Sequence, residues 1–243
     1  MSLLFEEIDS QPSPLGEISL RRRRIPALGD RDIYEVKLGE EFLMSSMFVE
    51  AEEALSTLGL AKVRGDNLDV VVGGLGLGYT AVAALKDERI AELLVVEALD
   101  TVIGWHTDEL VPLGKTLNAD SRNRYVLGSF FELATTPATG FDPDHAGRKF
   151  DAILLDIDHS PTEYLNSANA NFYTTENLSL MAEQLKPNGV FAMWSQNLPE
   201  ERFETLLSTV FDTVKSHVIS FYNPFLSSES TNSVYVCLKA SDR

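Results

Sequence analysis

The chain reads as an α/β protein built on a mostly parallel sheet, and three observations carry that reading. From Leu68 onward, apolar runs of strand length alternate with segments of helix length, the order that gives a parallel sheet covered by helices. The first run passes through a glycine-rich turn, Gly73-Gly-Leu-Gly-Leu-Gly78, straight into a helix. The chain then closes on two extended runs, Val214 to Phe221 and Ser233 to Lys239, whose loop suits an antiparallel hairpin.

Residues 1–62 predict a small β-cap and a helix. Gly16 to Arg24, Asp32 to Leu38 and Glu40 to Met44 have extended character, punctuated by Pro12, Pro14, Pro26 and Gly39. Ser46 to Leu60 carries Met47, Phe48, Ala51, Ala54, Leu55 and Leu58 on one helical face. The tetrad Arg21 to Arg24 sits in an extended run, so its side chains alternate between two faces. That pattern predicts an edge strand with solvated arginines.

Residues 63–243 predict a cofactor-binding domain. Its strands are Leu68 to Val72, Leu93 to Glu97, Arg124 to Leu127, Phe150 to Asp156 and Gly189 to Trp194. Between and after them come helices at Tyr79 to Asp87, Asp100 to Leu110, Phe130 to Ala134, Thr175 to Leu185 and Glu200 to Phe211. Pro137 to Lys149, rich in Gly, Pro and Asp, is a connecting loop. A terminal hairpin added to such a sheet marks the Rossmann-like class I methyltransferase fold, here a seven-stranded, mostly parallel sheet behind an N-terminal β-cap.

Composition narrows the partners. With 37 acidic and 20 basic residues the formal net charge is −17, which repels phosphate backbones and anionic lipid and attracts cations, polyamines among them. Neither nucleic acid nor membrane is an expected partner. Cys237 is the single cysteine, which excludes an internal disulfide and suits a reducing cytoplasm. No apolar run of membrane-spanning length and no secretory signal is read. The histidines, His106, His145, His159 and His217, lack metal-ligand spacing, so no metal site is expected.

Two constellations carry chemistry. Gly73, Gly74, Gly76 and Gly78 leave backbone amides bare beside a helix N-terminus, which is how such sheets hold nucleotides; the same glycines also suit a plain tight turn. Glu97 ends the next strand 19 positions after Gly78, near the spacing of about 20 at which an acid reaches ribose hydroxyls. Asp156 and Asp158 end the fourth strand of the domain, at the sheet edge where ligands bind. A carboxylate there orients an amine, takes its proton or holds a cation. His159 reads as a supporting base or a loop residue, and Tyr173 as a pocket-closing aromatic or a core residue.

In order, the glycine turn, the acid-ended strand, Gly128-x-x-Phe-Glu132, Phe150-Asp-Ala-Ile-Leu-Leu-Asp156 and Lys186-Pro-Asn-Gly-Val-Phe191 resemble the spermidine synthase family. The resemblance implies an adenosyl cofactor, S-adenosylmethionine or its decarboxylated form, a small amine or polyamine acceptor, and a homodimer built through the cap. It also implies Ser129 at the place of the family's adenine-binding acid. Asn169, Asn171, Phe172, Tyr173, Trp194 and Ser195 match a set of spermidine synthase-like proteins with a Gly-Leu-Gly-Leu-Gly turn. Departures are specific: Gly76 replaces the aspartate that grips the amine of the decarboxylated cofactor, and Asp156-Ile-Asp-His159 replaces Asp-Ser-Ser-Asp. Near the usual acidic and tyrosine lead-in stands Ser45-Ser-Met-Phe-Val-Glu50. Aminopropyl transfer is the leading expectation. Methyl transfer, an NAD(P) enzyme suggested by Gly76-Leu-Gly-Tyr-Thr-Ala81, and a catalytically silent adenosyl-binding protein stay open.

Overall fold

The computed structural model describes residues 4–28 and 31–241. Its N-terminal part is an antiparallel sheet of β1 (Phe5–Ser13), β2 (Gly16–Arg24), β3 (Asp32–Leu38) and β4 (Glu41–Ser45), in chain order. β1 has no counterpart in the sequence reading, and it moves the arginine tetrad from the edge to the interior of the sheet. Glu6 stands opposite Arg22 and Glu7 opposite Arg21. On the other side Arg23 meets Glu35 at 2.9 Å and Arg24 meets Asp32 at 2.7 Å. The arginines are therefore paired across strands rather than solvated, each pair adding up to about 1 kcal/mol.

The main sheet comprises β5 (Leu68–Gly73), β6 (Ile90–Glu97), β7 (Asn123–Leu127), β8 (Phe150–Leu155), β9 (Leu185–Ser195), β10 (Thr213–Asn223) and β11 (Ser228–Leu238). Their spatial order is β10-β11-β9-β8-β5-β6-β7. β5 to β9 run parallel, and β11 lies antiparallel to both β9 and β10. The terminal hairpin takes the place that a parallel sixth strand would hold in a dinucleotide enzyme.

Helices cover both faces: α1 (Glu50–Leu60), α2 (Tyr79–Leu85), α3 (Asp100–Thr107), α4 (Gly114–Ala119), α5 (Phe130–Ala134), α6 (Thr175–Glu183) and α7 (Glu201–Leu207). α1 begins at Glu50, not Ser46, and α4 was not anticipated. Alternate residues of the central strands feed two cores. Val70, Val72, Leu154 and Ala192 point to one, while Val71, Ile153 and Phe191 point to the other, with a cluster of aromatic rings. Burial on both faces explains why these strands read as continuous apolar runs. α1 lies on the first face because Gly59 carries no side chain; a Cβ there would stand 2.9 Å from Leu154 Cδ2.

The amino edge of the sheet is tied by ion pairs. Lys186 of the Lys-Pro-Asn-Gly stretch binds Asp69 at 2.8 Å and Asp151 at 2.7 Å, far in role from any ligand. At the carboxyl edge the chain turns away in opposite directions after β5 and β8, opening the crevice where ligands bind in such sheets. Gly74 and Asp156 flank it, held by Gly74 N–H to Val96 O (2.9 Å) and Asp156 N–H to Gly73 O (2.8 Å). Among the described residues no helix is long and apolar enough to cross a membrane.

Candidate functional site

A cavity of about 1090 Å³ lies over that crevice. Met44 and Leu38 of the β-cap, the turn after β5, Asp156, the segment 165–172 and Phe221 of the terminal hairpin enclose it. Its charged lining consists of Glu52, Glu97, Glu132 and Asp156, with His159 beside them and, among the described residues, no lysine or arginine.

The turn is shaped by backbone conformations that only glycine adopts easily. φ is +95° at Gly74 and +47° at Gly76. A Cβ on Gly74 would stand 2.2 Å from the Asp156 carbonyl oxygen, and one on Gly76 would stand 2.4 Å from Met44 Sδ. The Leu77 N–H also points at that sulfur, at 3.2 Å. The position that the resemblance gives to an aspartate is thus closed by a methionine reaching down from the cap. Beneath the turn His106 is fully buried, its Nε2 2.9 Å from Gly76 O. Burial lowers its pKa, so the ring is a neutral imidazole donating that hydrogen bond. Gly73 and Gly78 serve packing instead: a Cβ would strike the Phe130 ring at Gly73 and His106 and Leu117 at Gly78. Neither glycine lines the cavity.

Glu97 lines it. Its carboxylate accepts from Leu75 N–H at 3.0 Å and Leu99 N–H at 2.9 Å, one bond to each oxygen. The Ala98 and Gly76 N–H groups also act on it. Burial raises its pKa and these amides oppose the rise. Ser129 caps α5, its Oγ 3.4 Å from Glu132 N, and also faces the cavity.

Asp156 accepts a hydrogen bond from Thr80 Oγ1 at 2.5 Å. Burial raises its pKa. Sharing the cavity wall is Glu52 of α1, raised by burial first and by the Asp156 charge second. The sequence reading did not single out Glu52, although a signal existed. Ala51 and Leu55 belong to the apolar face of α1, and Glu52 falls directly after the first and three residues before the second, on the border of that stripe.

Asp158 and Tyr173 stand behind the wall rather than in it. Asp158 is buried, accepting from Leu165 N–H (2.9 Å), Asn169 Nδ2 (2.8 Å) and the Tyr173 hydroxyl (2.8 Å). These bonds hold the 165–172 segment that borders the cavity. Tyr173 is buried, stacked on Tyr164 with centroids 5.4 Å apart. Tyr173→Phe is expected to lower stability by about 1–2 kcal/mol, because a buried carboxylate loses one of its donors. Urea denaturation checks this, and an unchanged midpoint would assign the hydroxyl no structural share. His159 lines the cavity with Nε2 2.8 Å from Glu41 Oε1, joining the cap to the carboxyl edge of the main sheet. Among the described residues no group of three or more His, Cys, Asp or Glu side chains could hold a metal ion.

No family model matches the chain, and no curated protein does. Solved structures do match. Spermidine synthase from Thermotoga maritima superposes with a TM-score of 0.72 at 18% identity, over 97% of this chain and 74% of that one. A spermidine synthase in complex with the transition state analogue AdoDATO gives 0.70 at 17% identity, over 97% of this chain and 73% of that one. From cap to terminal hairpin, the chain has the spermidine synthase-like fold.

Proposed function

We propose that this chain is a transferase that moves an aminopropyl group from decarboxylated S-adenosylmethionine to a small amine. The observation that carries this reading is the charge of the cavity: Glu52, Glu97, Glu132 and Asp156 line it beside the glycine turn, and among the described residues no lysine or arginine does. Such a lining favours ligands that are cationic overall. A donor with a sulfonium and an amine, and an acceptor ammonium, both satisfy it. The matching spermidine synthase with AdoDATO supports the same reading.

The residues fit an adenosyl group. Gly74 would give close backbone approach, the Glu97 carboxylate would accept from a ribose diol, the Ser129 hydroxyl would meet an adenine edge, and the volume admits both reactants. When bound, the donor supplies a carbon activated by a positively charged sulfur. Everything else falls to the chain. The turn and Glu97 hold the nucleoside, and Asp156 orients the acceptor nitrogen and takes its proton. Asp158 and Tyr173 position the wall that excludes water, and His159 secures the cap.

Glu97→Ala is expected to weaken binding of 5′-methylthioadenosine about 10–100-fold, the equivalent of one to two charge-assisted hydrogen bonds. Calorimetric titration measures it, and an unchanged Kd removes Glu97 from the nucleoside site. Gly76 supports a second reading, methyl transfer from intact S-adenosylmethionine, since the aspartate that the resemblance gives to this position for gripping a donor amine is absent. Incubation of each donor with a panel of amines separates the two. Amine-dependent release of 5′-methylthioadenosine supports aminopropyl transfer, release of S-adenosylhomocysteine supports methyl transfer, and no release from either contradicts both.

A further inference from the structure

Seven of the chain's eleven asparagines line the cavity, together with Gln196. Two stretches of chain supply them. The segment 165–177 carries four, and the path from the end of β9 into the terminal hairpin carries three and the glutamine. The hairpin reaches the cavity because it outruns the sheet: β11 pairs with β9 from Ser233 to Leu238, whereas Ser228 to Asn232 pair with β10. Among the described residues neither stretch adds a charged side chain to the lining; the four acids come from α1, α5, the end of β6 and the turn after β8.

These amides keep hydrogen-bonding capacity of both kinds. The side chains of Asn171 and Gln196 make no hydrogen bond among the described residues. Asn177 spends Nδ2 on Asn171 O at 2.7 Å and Asn232 spends Nδ2 on Gln196 O at 3.2 Å, which leaves an Oδ1 acceptor on each. Asn166 spends Oδ1 on Ala168 N–H at 2.9 Å and keeps its donors. Aromatic faces share the space. The rings of Phe48 and Phe221 lie with centroids 5.3 Å apart, and Phe42 and Trp194 line the cavity with them.

A hydroxyl both donates and accepts, as a primary amide does, so a ligand with several hydroxyls can satisfy such walls. Aromatic faces match the C–H face of a saturated ring. A plain alkyl chain would displace water from the amides and leave them unpaired, and a site built to bond hydroxyls rejects the analogue that lacks them. We infer that the acceptor is a polyhydroxylated cyclic amine of the amino-sugar or aminocyclitol class, its amine toward Asp156 and its hydroxyls on the asparagine-lined walls. This inference rests on the transferase reading and sharpens it: that reading asks for an amine, and the uncharged lining selects the body that carries it. The transfer itself is unaltered. The acceptor nitrogen's lone pair forms the C–N bond, the electrons of the C–S bond stay on sulfur, and the proton passes to Asp156.

The test uses the full chain saturated with 5′-methylthioadenosine and measures two matched probes by calorimetry, at a pH where both amines of each are charged. 2-Deoxystreptamine and cis-1,3-diaminocyclohexane share ring and amines and differ in the hydroxyls. Wild type should bind 2-deoxystreptamine at least about tenfold more tightly. Gln196→Met and Asn171→Leu remove amides that hold nothing in the free chain. Each should weaken 2-deoxystreptamine about three- to tenfold, one hydrogen bond's worth, and leave cis-1,3-diaminocyclohexane and 5′-methylthioadenosine within about twofold. Equal affinity for the two probes, preference for the hydroxyl-free ring, binding of neither, or variants that weaken both alike overturns the inference and leaves the adenosyl site standing. Failure of 5′-methylthioadenosine itself to bind wild type overturns the transferase reading, and this inference with it.

Discussion

Gly74→Ala is expected to destabilise the fold by about 3 kcal/mol and to abolish adenosyl binding. Two costs add at this position. A Cβ forces a left-handed φ of +95° on an L-residue, worth about 1–2 kcal/mol. The new methyl would also lie 2.2 Å from the Asp156 carbonyl oxygen, a backbone atom that moves only if the ends of β5 and β8 separate; overpacking of this kind costs about 1–3 kcal/mol. Separation widens the crevice and displaces the Asp156 side chain with its backbone. Gly76→Ala offers the internal control. Its Cβ meets the far end of the flexible Met44 side chain, so the loss should be smaller, on the order of 1–2 kcal/mol. Urea midpoints of the two variants and of wild type decide it. Equal stability of Gly74→Ala and wild type would show that the turn does not approach Asp156 as described.

Asp156→Asn is expected to lower turnover about 100- to 1000-fold, the range lost when a positioned acid–base group is removed, while leaving nucleoside affinity within about twofold. The stability consequence runs the opposite way. Burial raises the Asp156 pKa in the folded chain, so the native state holds a proton that the unfolded state releases, and stability falls as pH rises out of the acid range. Asparagine keeps an acceptor for Thr80 Oγ1 and removes that cost along with the repulsion from Glu52. The variant should thus be as stable as wild type at about pH 4, before the loss sets in, and equally or more stable at pH 8. Thermal unfolding at the two pH values, beside single-turnover kinetics, provides the check. Full turnover in Asp156→Asn would free Asp156 of its assigned role.

The parallel domain was legible because its strands are buried on both faces and read as unbroken apolar runs, and because the glycines punctuate β5 so sharply. The terminal hairpin was legible for the same local reasons. β1 was not: Phe5–Ser13 is rich in acids and contains Pro12, and its strand character comes from pairing with the arginines of β2, a partner that no local pattern announces. α4 is six residues long, too short for a periodicity to register. In the site, Gly74, Gly76, Glu97, Ser129, Asp156 and His159 do gather around one cavity. Asp158 and Tyr173 stand behind its wall instead, because which side they face depends on how the 165–172 segment packs, and no local pattern announces that. Met44 and Glu52 escaped because they arrive from the cap and from α1, and long-range convergence leaves little trace in spacing.

On the proposed reading, the glycine turn and the acidic cavity above it hold an adenosyl thioether or sulfonium. Thermal unfolding with increasing 5′-methylthioadenosine, decarboxylated S-adenosylmethionine and NAD, each titrated separately, tests that claim most directly. The structure predicts saturable stabilisation by the first two, reaching about 2.7 kcal/mol at a hundredfold excess over Kd, and none by NAD. Stabilisation by NAD alone, or by none of the three, would contradict it.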